Sequence, residues 1–128
     1  MVSTVQAAEP LTSSFDMEVN GLAYRIFTAV PDAAAPEGGY PVIYMVDGNR
    51  MSPIAAKLMA ENDALKAVLV GVGYPTDNQD EIIRLRYFDL TPSTPADLIP
   101  VHFDVPKTGG RDAFFEFIDN QVKSEIEK

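Results

Sequence analysis

The residues best placed to do chemistry in this sequence are Asp47-Gly48-Asn49, which directly follow the apolar run Val42-Ile43-Tyr44-Met45-Val46. A buried strand that runs into a polar, glycine-containing loop is how an α/β enzyme carries a catalytic loop to the edge of its sheet. Such a loop needs a nucleophile and a base to act with, and the sequence is sparing with both. There is no cysteine, which excludes thiol nucleophiles, thiolate metal sites and disulfides. With His102 as the single histidine, a structural zinc site lacks ligands, and no metal or cofactor site is expected. Serines stand at positions 3, 13, 14, 52, 93 and 124. Ser52 lies in Arg-Met-Ser-Pro and Ser124 in Lys-Ser-Glu, inside an expected helix. His102, in Pro-Val-His-Phe-Asp, has no nucleophile beside it and reads as a surface or loop-packing residue.

The elements that would position these residues can be read from periodicity. Phe15 to Val19 alternates apolar and polar residues, as a half-buried strand does. Asn20-Gly21 is a strong hairpin turn, because both residues accept positive φ, and Leu22 to Val30 is the returning strand. Pro31 to Tyr40 is a proline- and glycine-rich surface loop. Val42 to Val46 is continuously apolar, which predicts burial on both faces in a parallel sheet. Met51 to Asp63 is expected to be a helix whose inward stripe is Ile54, Leu58 and Met59. Lys66 to Gly73 is a second buried strand, so the segment forms a βαβ unit with an expected right-handed crossover. A short helical turn is expected at Glu81 to Arg86, and a long loop from Tyr87 to Gly110. Arg111 to Lys128 is an amphipathic helix, with Phe114, Ile118, Val122 and Ile126 every four residues and Phe115 alongside them.

Length and composition narrow the classes. The 128 residues, 46% of them hydrophobic, suit one domain with a single core, residues 1–11 being a flexible tail. A net charge of -9 repels nucleic acid and anionic lipid, and neither is an expected partner. No apolar run reaches the roughly 18 residues that a membrane span needs. The N-terminal stretch MVSTVQAAEP lacks the basic and apolar regions of a signal peptide, and the compartment stays open between cytoplasm and periplasm.

Four segments, in this order, carry a family resemblance: Tyr44-Met45-Val46-Asp47-Gly48-Asn49, Val70-Gly71-Val72-Gly73-Tyr74-Pro75, Arg86-Tyr87-Phe88-Asp89-Leu90-Thr91-Pro92, and Gly109-Gly110 ahead of the phenylalanine-rich helix. Together they resemble the esterase D-like branch of the α/β-hydrolases, which includes the siderophore esterases. The resemblance covers most of Phe15 to Lys128. It implies an α/β fold, the N-terminal half of an α/β-hydrolase: an antiparallel hairpin, a βαβ parallel unit and a C-terminal amphipathic helix. It further implies that the loop after the third strand gives one backbone N–H, at Gly48 or Asn49, to an oxyanion hole. Arg86 and Tyr87 would border the substrate pocket, where a guanidinium suits a carboxylate or a catecholate-type oxygen. The implied substrate is a small-molecule ester, either a carboxylic ester or a siderophore lactone. A plainer reading makes Asp47-Gly48-Asn49 a strand-closing turn and Arg86 the exposed partner of Asp89.

The same resemblance locates a gap. The nucleophile elbow of this fold is G-x-S-x-G, and none of the serines here sits in that pattern. In the family, the helix matching Arg111–Lys128 precedes the strand that carries the serine, so nucleophile and base are expected outside this chain. Under the hydrolase strand order the Val42–Val46 strand would have one open edge, which offers a route to self-association. Two function classes stand side by side. One is the N-terminal portion of a serine esterase: a fragment, a nicked chain or a truncated gene product, inactive by itself. The other is a non-catalytic half-hydrolase that acts as a binding or assembly module through its open sheet edge.

Overall fold

The computed structural model describes residues 10–62, 64–99 and 107–128. Residues 1–9 of the expected tail lie outside this set, as do His102 and the rest of 100–106. The chain forms two compact units, Met1–Pro75 and Thr76–Lys128.

In the first unit, β1 (Leu11–Val19) and β2 (Leu22–Val30) form an antiparallel hairpin closed by Asn20 and Gly21, both at positive φ. The first strand begins at Leu11 rather than Phe15, because Thr12, Ser13 and Ser14 keep register with Ala29, Thr28 and Phe27. Ser13 and Thr28 share a hydroxyl hydrogen bond of 2.7 Å across the pair. The polar residues that hide the strand from a periodicity reading are thus a cross-strand pair. Next come β3 (Val42–Met45), α1 (Gly48–Glu61) and β4 (Val68–Gly73), with β3 and β4 parallel. The sheet order is β1-β2-β4-β3, and β2 meets β4 antiparallel.

Burial departs from expectation in two places. β4 is covered on both faces, Val70 and Val72 being almost fully buried, but β3 ends the sheet and Ile43 is 41% exposed. The helix starts at Gly48 rather than Met51, and its inward stripe is not the expected one. Ile54 and Leu58 are 45% and 55% exposed, while Met59 is buried. Ala55, Ala56 and Met59 pack with Ala29, Ala67 and Leu69 instead. Small residues face the sheet because the helix lies close to it, and the larger apolar side chains are turned to the flank.

In the second unit, α2 (Gln79–Asp89) is longer than the expected turn at both ends. Asn78 caps it, accepting a 3.1 Å hydrogen bond from the Glu81 N–H, and Asp80 and Glu81 complement the helix dipole. The Asn78-x-x-Glu81 spacing is the sequence signal for that start. The C-terminal helix, α3 (Arg111–Phe117), continues through a wider π turn at Ile118–Val122 into a last turn at Lys123–Ile126. Phe114, Phe117 and Val122 are buried, whereas Phe115 is 47% exposed, so Phe117 takes the place expected of Phe115. Phe117 and Val122 are five residues apart, and the π turn is what brings that spacing onto one face.

These differences are measurable. Met59→Ala is expected to cost about 2–4 kcal/mol of unfolding free energy by cavity formation, whereas Leu58→Ala costs less than about 1 kcal/mol. Urea denaturation of the two variants separates the inward from the outward stripe. Across the hairpin, the Arg25 guanidinium on β2 donates to Asp16 on β1 at 2.8 and 3.1 Å and holds its carboxyl below the usual carboxylate range. A lowered folded pKa gives stability that is present above the ordinary carboxylate pKa and lost as pH falls through the lowered value. Arg25→Met should therefore be less stable than the parent at neutral pH, with the two denaturation midpoints converging in acid.

Candidate functional site

The geometry of Asp47-Gly48-Asn49 follows from how near α1 lies to β4. Asp47 stands in the left-handed region, at φ 56°, and its carbonyl accepts hydrogen bonds from the N–H groups of Arg50 and Met51 at 3.0 and 2.8 Å. This turns the chain from the end of β3 directly into the helix. Gly48 is buried against β4: a Cβ there would lie 2.7 Å from the Gly71 carbonyl carbon and 2.9 Å from its oxygen. Gly71 and Gly73 clear the facing surface of the strand. A Cβ on Gly71 would strike the Ser52 hydroxyl, and one on Gly73 would lie 2.8 Å from the Asn49 backbone nitrogen. Two glycines two residues apart present one bare strip of a strand, a signal for close helix approach that the sequence already carries.

The Asn49 carboxamide fastens the turn to the exit of that strand. Its amide nitrogen donates to the Tyr74 carbonyl at 2.8 Å, and its oxygen accepts from the Tyr74 N–H at 2.8 Å. Tyr74 is itself 3% exposed, with its ring centroid 5.7 Å from that of Tyr24. This side-chain role was not foreseen in the sequence, where Asn49 counted only for its backbone. The first N–H groups of a helix point outward without carbonyl partners four residues back, and they suit an anionic oxygen.

The other candidates fall elsewhere. Arg86 and Tyr87 lie half-buried on the last turns of α2, in the second unit, where the Tyr87 carbonyl accepts from the Thr91 hydroxyl at 2.6 Å. The Thr91 carbonyl accepts from the N–H groups of Gly109 and Arg111, and Gly110 packs on the Phe88 ring. The third and fourth segments of the resemblance are therefore one packed corner. The plainer reading has an exposed Arg86 paired with Asp89; Arg86 is half-buried and Asp89 is buried at 3%. Ser52 faces Gly71 with its hydroxyl buried and without a hydrogen-bond partner among the described residues. The Ser124 hydroxyl is turned back onto the Asn120 carbonyl of its own helix. His102 lies outside the described residues.

A groove of about 460 Å³ lies between α1 and the hairpin, floored by Phe27, Ala29 and Leu69, and none of Gly48, Asn49, Arg86 or Tyr87 lines it. Among the described residues no three His, Cys, Asp or Glu side chains are grouped to hold a metal ion, and no helix is long and apolar enough to cross a membrane.

No family model matches the chain. Among curated proteins it is similar to the apo-salmochelin esterase of Escherichia coli O6:H1, with 32% identity over 120 residues that cover 91% of this chain and 37% of that protein. It is also similar to the ferri-bacillibactin esterase BesA of Bacillus subtilis, with 33% identity over 115 residues, 82% of this chain and 39% of that protein. Among solved structures, the BES protein from Bacillus cereus matches with a TM-score of 0.74 and 32% identity, over 99% of this chain and 50% of that one. An enterobactin hydrolase, IroE, in complex with DFP matches with a TM-score of 0.73 and 29% identity, over 93% of this chain and 48% of that one. The chain thus spans well under half the length of the curated relatives it matches.

The close approach of α1 to β4 is tested by one substitution. Alanine is favoured over glycine in a helix by about 1 kcal/mol, yet Gly48→Ala sets a methyl group against the backbone of Gly71. Net destabilisation of about 1–3 kcal/mol is expected, since overpacking outweighs propensity. The urea midpoint of the variant measures it.

Proposed function

From the premise that this chain is homologous to the siderophore esterases of the α/β-hydrolase type, we propose that it is the N-terminal portion of a serine ester hydrolase. In this reading the turn at Gly48 and Asn49 contributes a backbone N–H to the oxyanion hole, and Arg86 and Tyr87 border the substrate pocket. The substrate is an ester or lactone of the siderophore class. The observation that carries the reading is the turn itself: it ends a parallel strand, opens a helix, and is held by Gly48 on Gly71 and by Asn49 on Tyr74. Acyl transfer gathers negative charge on the carbonyl oxygen, and donors that need not move stabilise it most. The attacking serine and its histidine come from sequence beyond this span. In this reading neither Ser52 nor Ser124 is the nucleophile, which the buried Ser52 hydroxyl and the bond of the Ser124 hydroxyl to the Asn120 carbonyl support.

Two measurements decide the matter. The intact mass of the product of the native gene should lie well above 14.0 kDa, and that product should hydrolyse a siderophore-type ester. A native product of 14.0 kDa would sink the proposal. The 128-residue chain alone should take no label from a fluorophosphonate probe, and labelling at Ser52 or Ser124 would equally defeat it.

A second reading rests on β3, which ends the sheet and leaves Ile43 41% exposed. In that reading the chain is a binding or assembly module that pairs with a second copy along this edge. Sedimentation would show a defined dimer that Ile43→Lys disrupts; a monomer throughout would end it.

A further inference from the structure

We infer that the Asn49 side chain is the positioning residue of the Asp47-Gly48-Asn49 turn, the group that holds its backbone donors in one orientation. The inference rests on the reading of that turn as part of an oxyanion hole. Three observations lead to it. First, the start of α1 is irregular in its backbone. Asp47 occupies the left-handed region, which is unfavourable for a residue with a Cβ. Pro53, inside the helix, has no N–H to return to the carbonyl of Asn49. A first turn built this way needs fastening from outside.

Second, the Asn49 carboxamide provides that fastening with both of its polar ends on a single residue. One end donates to the Tyr74 carbonyl and the other accepts from the Tyr74 N–H, each at 2.8 Å. A carboxylate could accept but not donate, and a hydroxyl has one atom for both tasks, so the pairing is specific to an amide of this length. Two bonds to one backbone segment also restrict rotation, which a single bond does not.

Third, the anchor is rigid. Tyr74 is buried at 3%, follows directly on β4 and has Tyr24 against its ring, whereas Gly73 leaves room for the Asn49 backbone to lie flat on the strand. The peptide that joins Gly48 to Asn49 is therefore held from below by Gly71 and Gly73 and from the side by the amide clasp. Donor geometry, and not only strand ending, depends on this one side chain.

The test is amide NMR on the ¹⁵N-labelled native gene product, with Asn49→Ala and Asn49→Asp. In Asn49→Ala the Tyr74 amide should exchange about tenfold faster or more. The Gly48 amide signal should shift or broaden, while Val70 and Val72 in β4 keep their protection. Asn49→Asp retains an acceptor for the Tyr74 N–H and loses the donor. It should preserve most of the Tyr74 protection and still displace the Gly48 signal, and it remains readable if the alanine variant fails to fold. In the native gene product, Asn49→Ala should lower kcat about tenfold or more with KM little changed. A Gly48 amide unmoved in both variants, or an unchanged kcat, overturns the inference even where Tyr74 exchange rises. The reading of the turn fails on a different result, the absence of ester hydrolysis by the unmodified native product.

Discussion

The contact on which the first unit depends is the seating of Gly48 on Gly71. Everything local to the candidate site is arranged around bringing a helix start that close to a central strand. The helix turns small residues toward the sheet, Ala55 and Ala56 beside Met59, because larger ones would hold it away. β4 answers with glycines at 71 and 73 on the same face, where every other inward position of the strand is apolar and filled. Close packing of this kind tolerates little change in volume, since interiors are packed to crystal density and a single added methyl group is felt. The same closeness lets a side chain as short as asparagine reach the backbone of Tyr74, so packing and hydrogen bonding are two consequences of one approach.

The second unit reaches a comparable result by another route. Its described residues form no sheet, and its corner is stitched by Thr91. The Thr91 hydroxyl donates to the Tyr87 carbonyl, and its own carbonyl takes the N–H groups of Gly109 and Arg111. Gly110 then leaves space for the Phe88 ring, so the start of α3 and the end of α2 are fixed together. The sequence Arg86-Tyr87 is presented by a helix end that is capped at its start by Asn78 and closed at its finish by Thr91.

Much of this was legible in the sequence, and the reasons for the remainder are physical. The Asn20-Gly21 turn needs residues that accept positive φ, and such residues are few, so the hairpin could be placed from two letters. The parallel pair was legible from continuous apolar runs and the helix between them from a spacing of apolar residues, although that spacing named the wrong inward side chains. Strand ends were less so, because Thr12 to Ser14 pair by backbone and hydroxyl groups that carry no apolar alternation. The clasp of Asn49 on Tyr74 joins residues 25 apart in sequence through backbone atoms of one partner, and no periodicity records such a bond. The π turn escaped for a related reason: it changes the helical spacing from four to five at Phe117 and Val122, so a regular template points to Phe115.

The two errors of burial in the first unit have a common location. Along a helix that turns by about 100° per residue, Pro53 and Ala56 fall on one side of the inward line from Ser52 to Met59. Met51, Ile54 and Leu58 fall on the other. Pro53 and Ala56 line the groove toward β1 and β2, so the flank with Met51 and Leu58 lies on the β3 side, with Ile54 toward the outer face of the helix. Ile43, the exposed residue of β3, shares its face of the sheet with Met45, which packs on the α1 side. Apolar side chains left in water on one flank, beside a strand paired on one edge only, are a single discrepancy rather than two. Periodicity reports the burial for which a sequence is suited, whatever span of polypeptide is present to supply it. Both features therefore mark one flank of the first unit, the β3 edge and the side of α1 beside it.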